Sequence, residues 1–329
     1  MVKPTYGILY GLLLIIVGVV TYLTGVSLGV IRAVFGITIE VRPVIMNIVW
    51  YSAAPIVFGL LSIFLEILLN VRKERRKKFI RNKPLDNMMC TAVLTAYNDE
   101  ASIAESVKDF LSNPHVKRVI VVSNNSTDNT YQAAKDAGAI VFDEKKQGYG
   151  SCVWRCLKEG ASYDDTDMVV LCEGDMTFRA YDVGKLIQFI RHADIVNGTR
   201  IVEKLQDNST QITTLMHYGN LFVGKLLEAK FLSAATLSDV GTTYKVLRRD
   251  AVMKLLPLLD TDVNLEFNPY LLETAIRNNM AVVEVPVTFH PRVGVSKGGN
   301  ISNIVALRVG MRMIVGILFG WDLIKQKYK

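Results

Sequence analysis

Two carboxylates stand two positions apart directly after an apolar, β-branched run. Glu173 and Asp175 follow Met168–Cys172, whose composition is typical of a buried strand. Two carboxylates at the mouth of such a strand repel each other unless a cation lies between them. Hard oxygen ligands of this kind suit Mg²⁺ or Mn²⁺ bound to a diphosphate. We therefore predict a divalent metal site at Glu173 and Asp175.

Two other polar clusters also follow apolar runs. Tyr97-Asn98-Asp99-Glu100 comes after Cys90–Ala96, and Asn124-Asn125-Ser126-Thr127-Asp128 comes after Arg118–Ser123. Taken alone, each cluster is also ordinary chemistry for the start of a helix. Their repeated position after strand-like runs favours a shared binding edge.

From Met88 onward, short apolar runs alternate with amphipathic stretches. The runs are Cys90–Ala96, Arg118–Ser123, Ala139–Phe142, Met168–Cys172 and Asp194–Asn197. The helical stretches are near Ala101–Leu111, Asp128–Ala137, Tyr149–Ala161 and Val183–Arg191. This alternation predicts an α/β fold with a mostly parallel, Rossmann-like sheet and helices on both faces. Ligands bind beyond the carboxyl ends of such strands, where the polar clusters fall.

Two uncharged segments near the N-terminus predict a transmembrane hairpin. Lys3 and Arg32 enclose 28 uncharged residues, and Arg42 and Glu66 enclose 23, against the roughly 20 that a bilayer core requires. A cleaved signal peptide fits the first segment poorly, because its apolar run is long and a second span follows. The chain therefore divides into a hairpin (1–71), a basic juxtamembrane linker (72–87), a catalytic domain (88–300) and a C-terminal helix (301–329).

The positive charge of the chain is local. The formal net charge is +7, and Val71–Lys83 alone holds eight Lys or Arg and one Glu, so a nucleic-acid-binding surface is a poor interpretation and no nucleic-acid partner is expected. A basic run beside a span marks the cytoplasmic side, and it also attracts anionic lipid headgroups. Four cysteines without zinc-type spacing are interpreted as free thiols, as expected for a cytoplasmic domain.

The C-terminal stretch Ile301–Lys325 has a helical pattern. Arg308 and Arg312 interrupt its hydrophobicity, and the uncharged part, Met313–Trp321, is too short to span a bilayer. An amphipathic helix at the membrane interface is the favoured interpretation, with a core-packing helix as the alternative.

Eight short segments occur in a fixed order over about residues 89–300. They are Thr95-Ala96-Tyr97-Asn98, Val122–Thr130, Gln147-Gly148-Tyr149-Gly150-Ser151, Glu173-x-Asp175, Asn197-Gly198-Thr199-Arg200, Asp239–Arg249, Glu284-Val285-Pro286-Val287 and Arg292-x-Gly294-x-Ser296-Lys297. The ordered set resembles the family 2 glycosyltransferases of the GT-A fold. The resemblance is strongest to the polyprenyl-phosphate glycosyltransferases typified by dolichol-phosphate mannose synthase.

The resemblance implies metal-dependent, inverting transfer of one sugar from a GDP- or UDP-sugar to a membrane polyprenyl (dolichyl) phosphate. Its donor-binding residues would be Ala96, Tyr97, Asn98, Glu100, Asn124, Ser126, Gly148, Tyr149, Gly150, Glu173 and Asp175. Its acceptor-phosphate residues would be Arg200, Lys245, Arg292 and Lys297. Asp239, Asp175 and Arg200 are the candidate catalytic residues.

The chain departs from the family motifs at three places. Ser123 and Asn124 replace the two acids of the nucleotide-binding turn, so the base is left unassigned. Glu173 replaces the first Asp of the metal pair, and Thr243–Lys245 replace Gly-Phe-Arg after Asp239. Asp239 could orient the acceptor, act as a base or fix the following strand.

Two other functions remain in competition. Transfer to a lipid hydroxyl would need a true general base, because a hydroxyl must lose its proton, whereas an ionised phosphate is already a nucleophile. A catalytically silent membrane scaffold that binds nucleotide sugar is the second. A processive polysaccharide synthase is disfavoured, since none of the three Trp residues follows an Arg. The sequence is compatible with a homo-oligomer and does not fix the oligomeric state.

Overall fold

The computed structural model describes residues 2–36, 41–73, 82–85, 88–207, 210, 212–232, 234–294 and 302–325. Most of the predicted basic linker lies outside these ranges, and so does Lys297. The chain divides into two compact units, Pro4–Phe79 and a larger one formed by Met1–Lys3 with Ile80–Lys329.

The smaller unit is a helical hairpin. Its first helix, α1, spans Tyr6–Phe35, and α2 (Arg42–Tyr51) and α3 (Ala53–Lys73) return antiparallel to it. Glycines bring the backbones together: a Cβ on Gly59 would lie 2.5 Å from the carbonyl oxygen of Gly11. Such small-residue contacts are typical of helices that pack where no hydrophobic effect drives them together.

The outer surface of the hairpin is almost wholly apolar. Tyr6–Phe35 and Arg42–Asn70 are both long and apolar enough to cross a membrane by length and composition, and each buries only 11% of its most hydrophobic window. Helices this apolar and this exposed are unusual in water, because their side chains gain nothing from solvent contact.

The larger unit is built on a seven-stranded mixed sheet. In chain order its strands are β1 (Cys90–Ala96), β2 (Val116–Ser123), β3 (Ile140–Asp143), β4 (Met168–Glu173), β5 (Ile195–Thr199), β6 (Lys245–Arg248) and β7 (Val282–Pro286). The spatial order is β3-β2-β1-β4-β6-β5-β7. Only β6 is antiparallel to its neighbours, β4 and β5. The predicted mostly parallel sheet is therefore confirmed.

Helices cover both faces of this sheet. They are α4 (Ile103–Leu111), α5 (Thr130–Asp136), α6 (Tyr149–Ala161), α7 (Val183–Ile187), α8 (Thr214–Lys230), α9 (Arg249–Leu255), α10 (Phe267–Arg277) and α11 (Asn303–Phe319). Alternate residues of β4 enter two cores: Val169 and Leu171 pack towards α6, and Val170 and Cys172 pack on the opposite side. Burial of both faces explains why the strands are continuously apolar.

The C-terminal helix α11 packs on the rest of the larger unit. Met313 and Ile317 lie in its core, and a buried ionic contact fixes the helix end. Lys230 Nζ lies 2.7 Å from Glu273 Oε1 and donates to the carbonyl oxygen of Ile317, while Trp321 Nε1 donates to Glu273 Oε2 at 3.0 Å. The predicted helix is present, and its inner side packs in the core, as in the core-packing alternative.

Candidate active site

The carboxyl ends of β1 and β4 lie side by side. Thr95 pairs with Glu173, and the Gly174 N–H donates to the Thr95 carbonyl oxygen at 2.9 Å. A Cβ on Gly174 would lie 2.4 Å from the terminal methyl of Ile103 and 3.3 Å from the Thr95 carbonyl oxygen, so a larger residue would displace Ile103. The turn after β4 is thereby held against β1, and its two acids stand at the sheet edge as predicted.

Asp175 is buried and shares a guanidinium with Asp99. Arg292 NH1 lies 3.2 Å from Asp175 Oδ2, and Arg292 NH2 lies 3.4 Å from Asp99 Oδ1. Thr177 donates to Asp175 Oδ1 through its N–H and its hydroxyl, at 3.0 and 2.6 Å. Burial, reinforced by the Glu173 charge, raises the pKa of Asp175 to about 7.

Glu173 is held by residues from distant parts of the chain. Its Oε1 accepts a 2.6 Å hydrogen bond from Thr243, whose oxygen is 2.5 Å from the Tyr149 hydroxyl. Asn268 donates to that Tyr149 hydroxyl at 2.8 Å. These contacts place Tyr149 beside the predicted metal pair.

Arg200 and Asp239 form a two-pronged ion pair. Arg200 Nε and NH2 lie 2.7 and 2.8 Å from Oδ2 and Oδ1 of Asp239, which is fully buried. Burial opposes ionisation of Asp239, but the Arg200 guanidinium outweighs it and lowers the pKa of this carboxyl. Arg200 lines the cavity described below, and Asp239 lies behind Arg200, away from the cavity.

Lys245 also lies behind the pocket wall. It is completely buried, donates to the Thr242 carbonyl oxygen and lies 3.3 Å from Asn268 Oδ1. Burial lowers the pKa of Lys245 to about 7. The contact of Lys245 with an acceptor phosphate stays a prediction, and in this structure its amine faces protein acceptors.

Asn124 organises a neighbouring loop. Its side-chain oxygen accepts from the Gly148 N–H at 2.8 Å, and its amide donates to the Lys146 carbonyl oxygen at 2.8 Å. Gly148 has a φ of 139°, a conformation that favours glycine. Gly150 has another constraint, since a Cβ there would lie 1.9 Å from the Val263 carbonyl oxygen. It therefore serves close packing.

Three of the predicted donor residues tie loops together outside the pocket wall. The Asn98 N–H donates to Ser126 Oγ at 3.1 Å, and Asn98 Oδ1 accepts from the Thr127 N–H at 2.8 Å. Glu100 Oε2 accepts from the Asn129 N–H at 2.9 Å. These residues hold the ends of β1 and β2 in place, and their direct contact with a nucleotide stays a prediction.

Some of the residues described above border one cavity of about 710 Å³. The predicted residues on its wall are Ala96, Tyr97, Asn124, Gly148, Tyr149, Glu173, Asp175, Arg200 and Arg292. Asp99 and Asn268 also line it and were not predicted. Asp99 belongs to the polar cluster after β1, where the sequence pointed to Glu100, whereas Asn268 lies on a helix with no local signal of function.

The far part of the cavity is apolar. It is formed by α8 and α11, which contribute Leu215, Met216, Phe222, Val223, Leu307, Met311, Met313 and Ile314. Several of these side chains are also more than half exposed to solvent, with Leu307 at 55% and Phe222 at 51%. A long apolar groove therefore opens from the carboxylate and guanidinium end towards the surface, a feature that the sequence did not predict.

The residues present fit a divalent cation. Asp175 Oδ2 is buried and makes no hydrogen bond with any described residue, although Arg292 is near. Within the described ranges no three His, Cys, Asp or Glu side chains form a closed metal cluster. A two-carboxylate site is what Mg²⁺ uses when a diphosphate and water supply its remaining ligands.

Curated relatives share this domain. A dolichyl-phosphate hexose transferase of Haloferax volcanii is 27% identical over 62% of this chain and 84% of that protein. The low-salt glycan biosynthesis hexosyltransferase Agl6 of the same organism is also 27% identical over 62% of this chain. The match spans about half of Agl6, 48% of its length.

The fold also occurs among solved structures. Glucosyl-3-phosphoglycerate synthase from Mycobacterium tuberculosis, in complex with Mn²⁺, UDP-glucose and phosphoglyceric acid, superposes with a TM-score of 0.50. It is 18% identical, with 73% of this chain and 81% of that chain covered. The model of the family described as glycosyl transferase family 2 matches residues 91–256, half of the chain. The chain therefore belongs to the family 2 glycosyltransferases, with a catalytic unit of GT-A type.

Proposed function

We propose that the protein transfers one sugar, with inversion, from a nucleotide sugar to a polyprenyl (dolichyl) phosphate in a metal-dependent reaction. The observation that carries this proposal is the single cavity that joins paired carboxylates, two guanidinium groups and an apolar groove. The name of the dolichyl-phosphate hexose transferase relative supports the same acceptor class.

In this proposal the nucleotide sugar binds at the end of the cavity that contains Glu173 and Asp175. Glu173 and Asp175 would hold Mg²⁺ or Mn²⁺, which neutralises charge that develops on the departing diphosphate. Asn124 shapes the Gln147–Gly148 loop at the same end of the cavity. Since neither acid of the family's nucleotide-binding turn is present, either UDP or GDP fits the proposal.

The acceptor half belongs to Arg200 and Arg292. Both guanidinium groups line the cavity, and Arg forms paired hydrogen bonds with phosphate oxygens. A phosphate carries its own negative charge and needs no general base. The carboxylates on the described cavity wall are Asp99, Glu173 and Asp175, and Arg292 or Thr243 engages each of them. This arrangement favours phosphate over hydroxyl as the nucleophile.

The groove between α8 and α11 suits the polyprenyl chain of the acceptor. An apolar chain gains roughly 0.8 kcal/mol for each methylene removed from water, whereas a water-soluble sugar acceptor would gain nothing there. Exposed apolar side chains on both helices, including Tyr218, Phe222, Ile304 and Leu307, would meet the lipid tails where the acceptor enters.

The same proposal assigns the membrane topology. The two apolar helices span the bilayer as a hairpin, and the basic run after the second places the catalytic unit in the cytoplasm, near anionic headgroups.

The test is transfer by the purified full-length protein in lipid nanodiscs. It would receive a panel of UDP- and GDP-sugars, Mg²⁺ or Mn²⁺, and either a short polyprenyl phosphate or the matching polyprenol. We expect an acid-labile glycolipid only with the phosphate, and none after EDTA treatment. A product formed from the polyprenol but not from its phosphate would contradict the proposed acceptor, and full activity in EDTA would contradict the metal.

A further inference from the structure

Glu173 ends a chain of hydrogen bonds that begins at the buried amine of Lys245. The links run from Lys245 to Asn268, from Asn268 to Tyr149, from Tyr149 to Thr243 and from Thr243 to Glu173. The last three are between 2.5 and 2.8 Å long. Thr243 thus contacts the Glu173 carboxylate directly, and Tyr149, Asn268 and Lys245 follow behind it in the chain.

The direction of every bond follows from the chemistry of the groups. The orientation of the Asn268 side-chain amide is fixed by two neighbours. Lys245 donates to its oxygen, and the Gly241 carbonyl oxygen accepts from its nitrogen at 3.1 Å. Asn268 therefore donates to the Tyr149 oxygen. An ionised Glu173 can only accept hydrogen bonds, so the single hydroxyl proton of Thr243 is donated to that carboxylate. The Thr243 oxygen therefore accepts the hydrogen bond from the Tyr149 hydroxyl. All donors point towards Glu173.

We infer that Thr243 and Tyr149 are positioning residues that aim the Glu173 carboxylate at the metal. The 2.6 Å hydrogen bond from Thr243 to Oε1 restricts rotation of the Glu173 side chain, and we assign the carboxylate so restrained to the cation. This inference rests on the proposed metal-dependent function, and it adds residues that act on the metal site through Glu173. Hydrogen bonds to metal-binding carboxylates orient them in this way.

Two departures from the family motif support a coupled arrangement. Glu173 stands where the motif has Asp, and Thr243 stands where it has Gly. Glu has one more rotatable bond than Asp and loses more conformational entropy on binding a metal. A glycine could not restrain that longer side chain, whereas the Thr243 hydroxyl does so at 2.6 Å. The two substitutions are thus in direct contact and compensate each other.

The experiment measures Mn²⁺ affinity by electron paramagnetic resonance on the full-length protein, with Mn²⁺ alone and with UDP or GDP. Thr243→Val removes the hydroxyl at nearly constant size, and Thr243→Ser keeps it. Loss of such a supporting contact costs ~10-fold or more in metal affinity, so we expect that weakening for Thr243→Val and near-normal affinity for Thr243→Ser. Thr243→Ala replaces Thr243→Val should the valine variant fail to fold.

A matched control is Thr288→Val. Thr288 donates to the buried Asp182 carboxylate at 2.7 Å, outside the cavity, so its loss should lower the melting temperature and leave Mn²⁺ affinity unchanged. Tyr149→Phe should weaken Mn²⁺ binding in the wild-type background and add nothing to Thr243→Val, because it acts through Thr243.

The outcomes separate the two proposals. Wild-type protein that binds no Mn²⁺ with either nucleotide overturns the metal-dependent function and this inference with it. Wild-type protein that binds Mn²⁺ while Thr243→Val binds equally well overturns the inference alone. Equal losses from Tyr149→Phe in both backgrounds would show that Tyr149 does not act through Thr243, which also overturns it.

Discussion

Both carboxylate oxygens of Asp239 accept hydrogen bonds from the Arg200 guanidinium, from Nε at 2.7 Å and from NH2 at 2.8 Å. Asp239 is fully buried behind the cavity wall. Asp239 also accepts from the backbone N–H of Arg200 at 3.0 Å. All of these contacts engage the carboxylate with one residue, and they keep it ionised. In this geometry Asp239 orients Arg200, a role that differs from the three that the sequence allowed, namely orienting the acceptor, acting as a base and fixing the following strand.

Asp239→Asn should therefore act mainly on acceptor binding. Losing a charge-assisted hydrogen bond costs about 1.5–3 kcal/mol, so kcat/KM for the acceptor should fall roughly 10- to 100-fold, chiefly through a higher KM. Steady-state kinetics with the lipid phosphate varied at saturating donor would measure this. A general base would instead lose ~10²–10⁴-fold in kcat at unchanged KM.

A suitable control is Asp182→Asn, another buried aspartate of the same unit, which bonds Thr288 and not the cavity wall. It should lower the melting temperature and leave the acceptor KM unchanged. A collapse of kcat in Asp239→Asn alone would reinstate a hydroxyl acceptor.

Asp175→Asn should abolish transfer while leaving the fold intact. The substitution removes a metal ligand, yet it also removes a carboxylate whose ionisation is opposed by burial and by Glu173. We therefore expect a melting temperature equal to or above that of the wild type and no measurable Mn²⁺ binding. Near-wild-type turnover with a normal melting profile would reject the metal assignment.

Glu173→Ala should lose metal affinity less completely than Asp175→Asn, because diphosphate oxygens and water can fill part of the coordination shell. It should cost at least as much as Thr243→Val, which acts only through Glu173.

Lys245→Met should change how stability depends on pH. Burial lowers the pKa of Lys245 to about 7 from its usual value near 10.5. Above pH 7 the unfolded chain holds a proton that the native state has lost, so this lysine makes stability rise with pH, by at most about 1.4 kcal/mol per pH unit. Denaturant melts between pH 7 and 8.5 should show a flatter profile for Lys245→Met. Parallel profiles for the two proteins would contradict a neutral buried amine.

Glu273→Ala should release α11. It leaves the buried Lys230 ammonium without its carboxylate partner, which typically costs ~3–5 kcal/mol. Hydrogen exchange should quicken in α11, and because this helix forms one wall of the groove, the acceptor KM should rise while donor binding is preserved. Lys225→Ala, on the same helix as Lys230 but half exposed, is the control and should change stability by less than ~1 kcal/mol. Unchanged exchange in α11 after Glu273→Ala would refute the role of this contact.

Sequence patterns predicted local elements well where burial and periodicity agreed. Strand Cys90–Ala96 and helix Tyr149–Ala161 have the predicted bounds. The antiparallel strand β6 was missed, because Lys245 and Arg248 at its ends read as surface residues. In the structure both are buried, and their side-chain nitrogens donate to protein oxygens. A buried polar side chain that is satisfied by tertiary contacts leaves no periodic signal.

The candidate site shows the same limit. The strand-end acids could be found locally, because each follows an apolar run. The residues that restrain them come from far along the chain: Thr243 is 70 positions from Glu173, and Arg292 is 193 from Asp99. Only the fold brings such pairs together. Asp99 and Glu100 are adjacent acids with similar propensities, and the strand geometry alone decides which of them faces the cavity.

The antiparallel strand β6 separates the two strands whose ends carry Glu173 and lead into Arg200. β6 lies between β4, whose end carries Glu173, and β5, whose end leads into Arg200. Two inter-strand spacings separate those ends, about 10 Å in all. That gap is maintained by main-chain hydrogen bonds, which side-chain substitutions leave unchanged. Substitutions around the cavity can therefore change what it binds, while the separation of the strand ends that carry Glu173 and lead into Arg200 is set by the sheet.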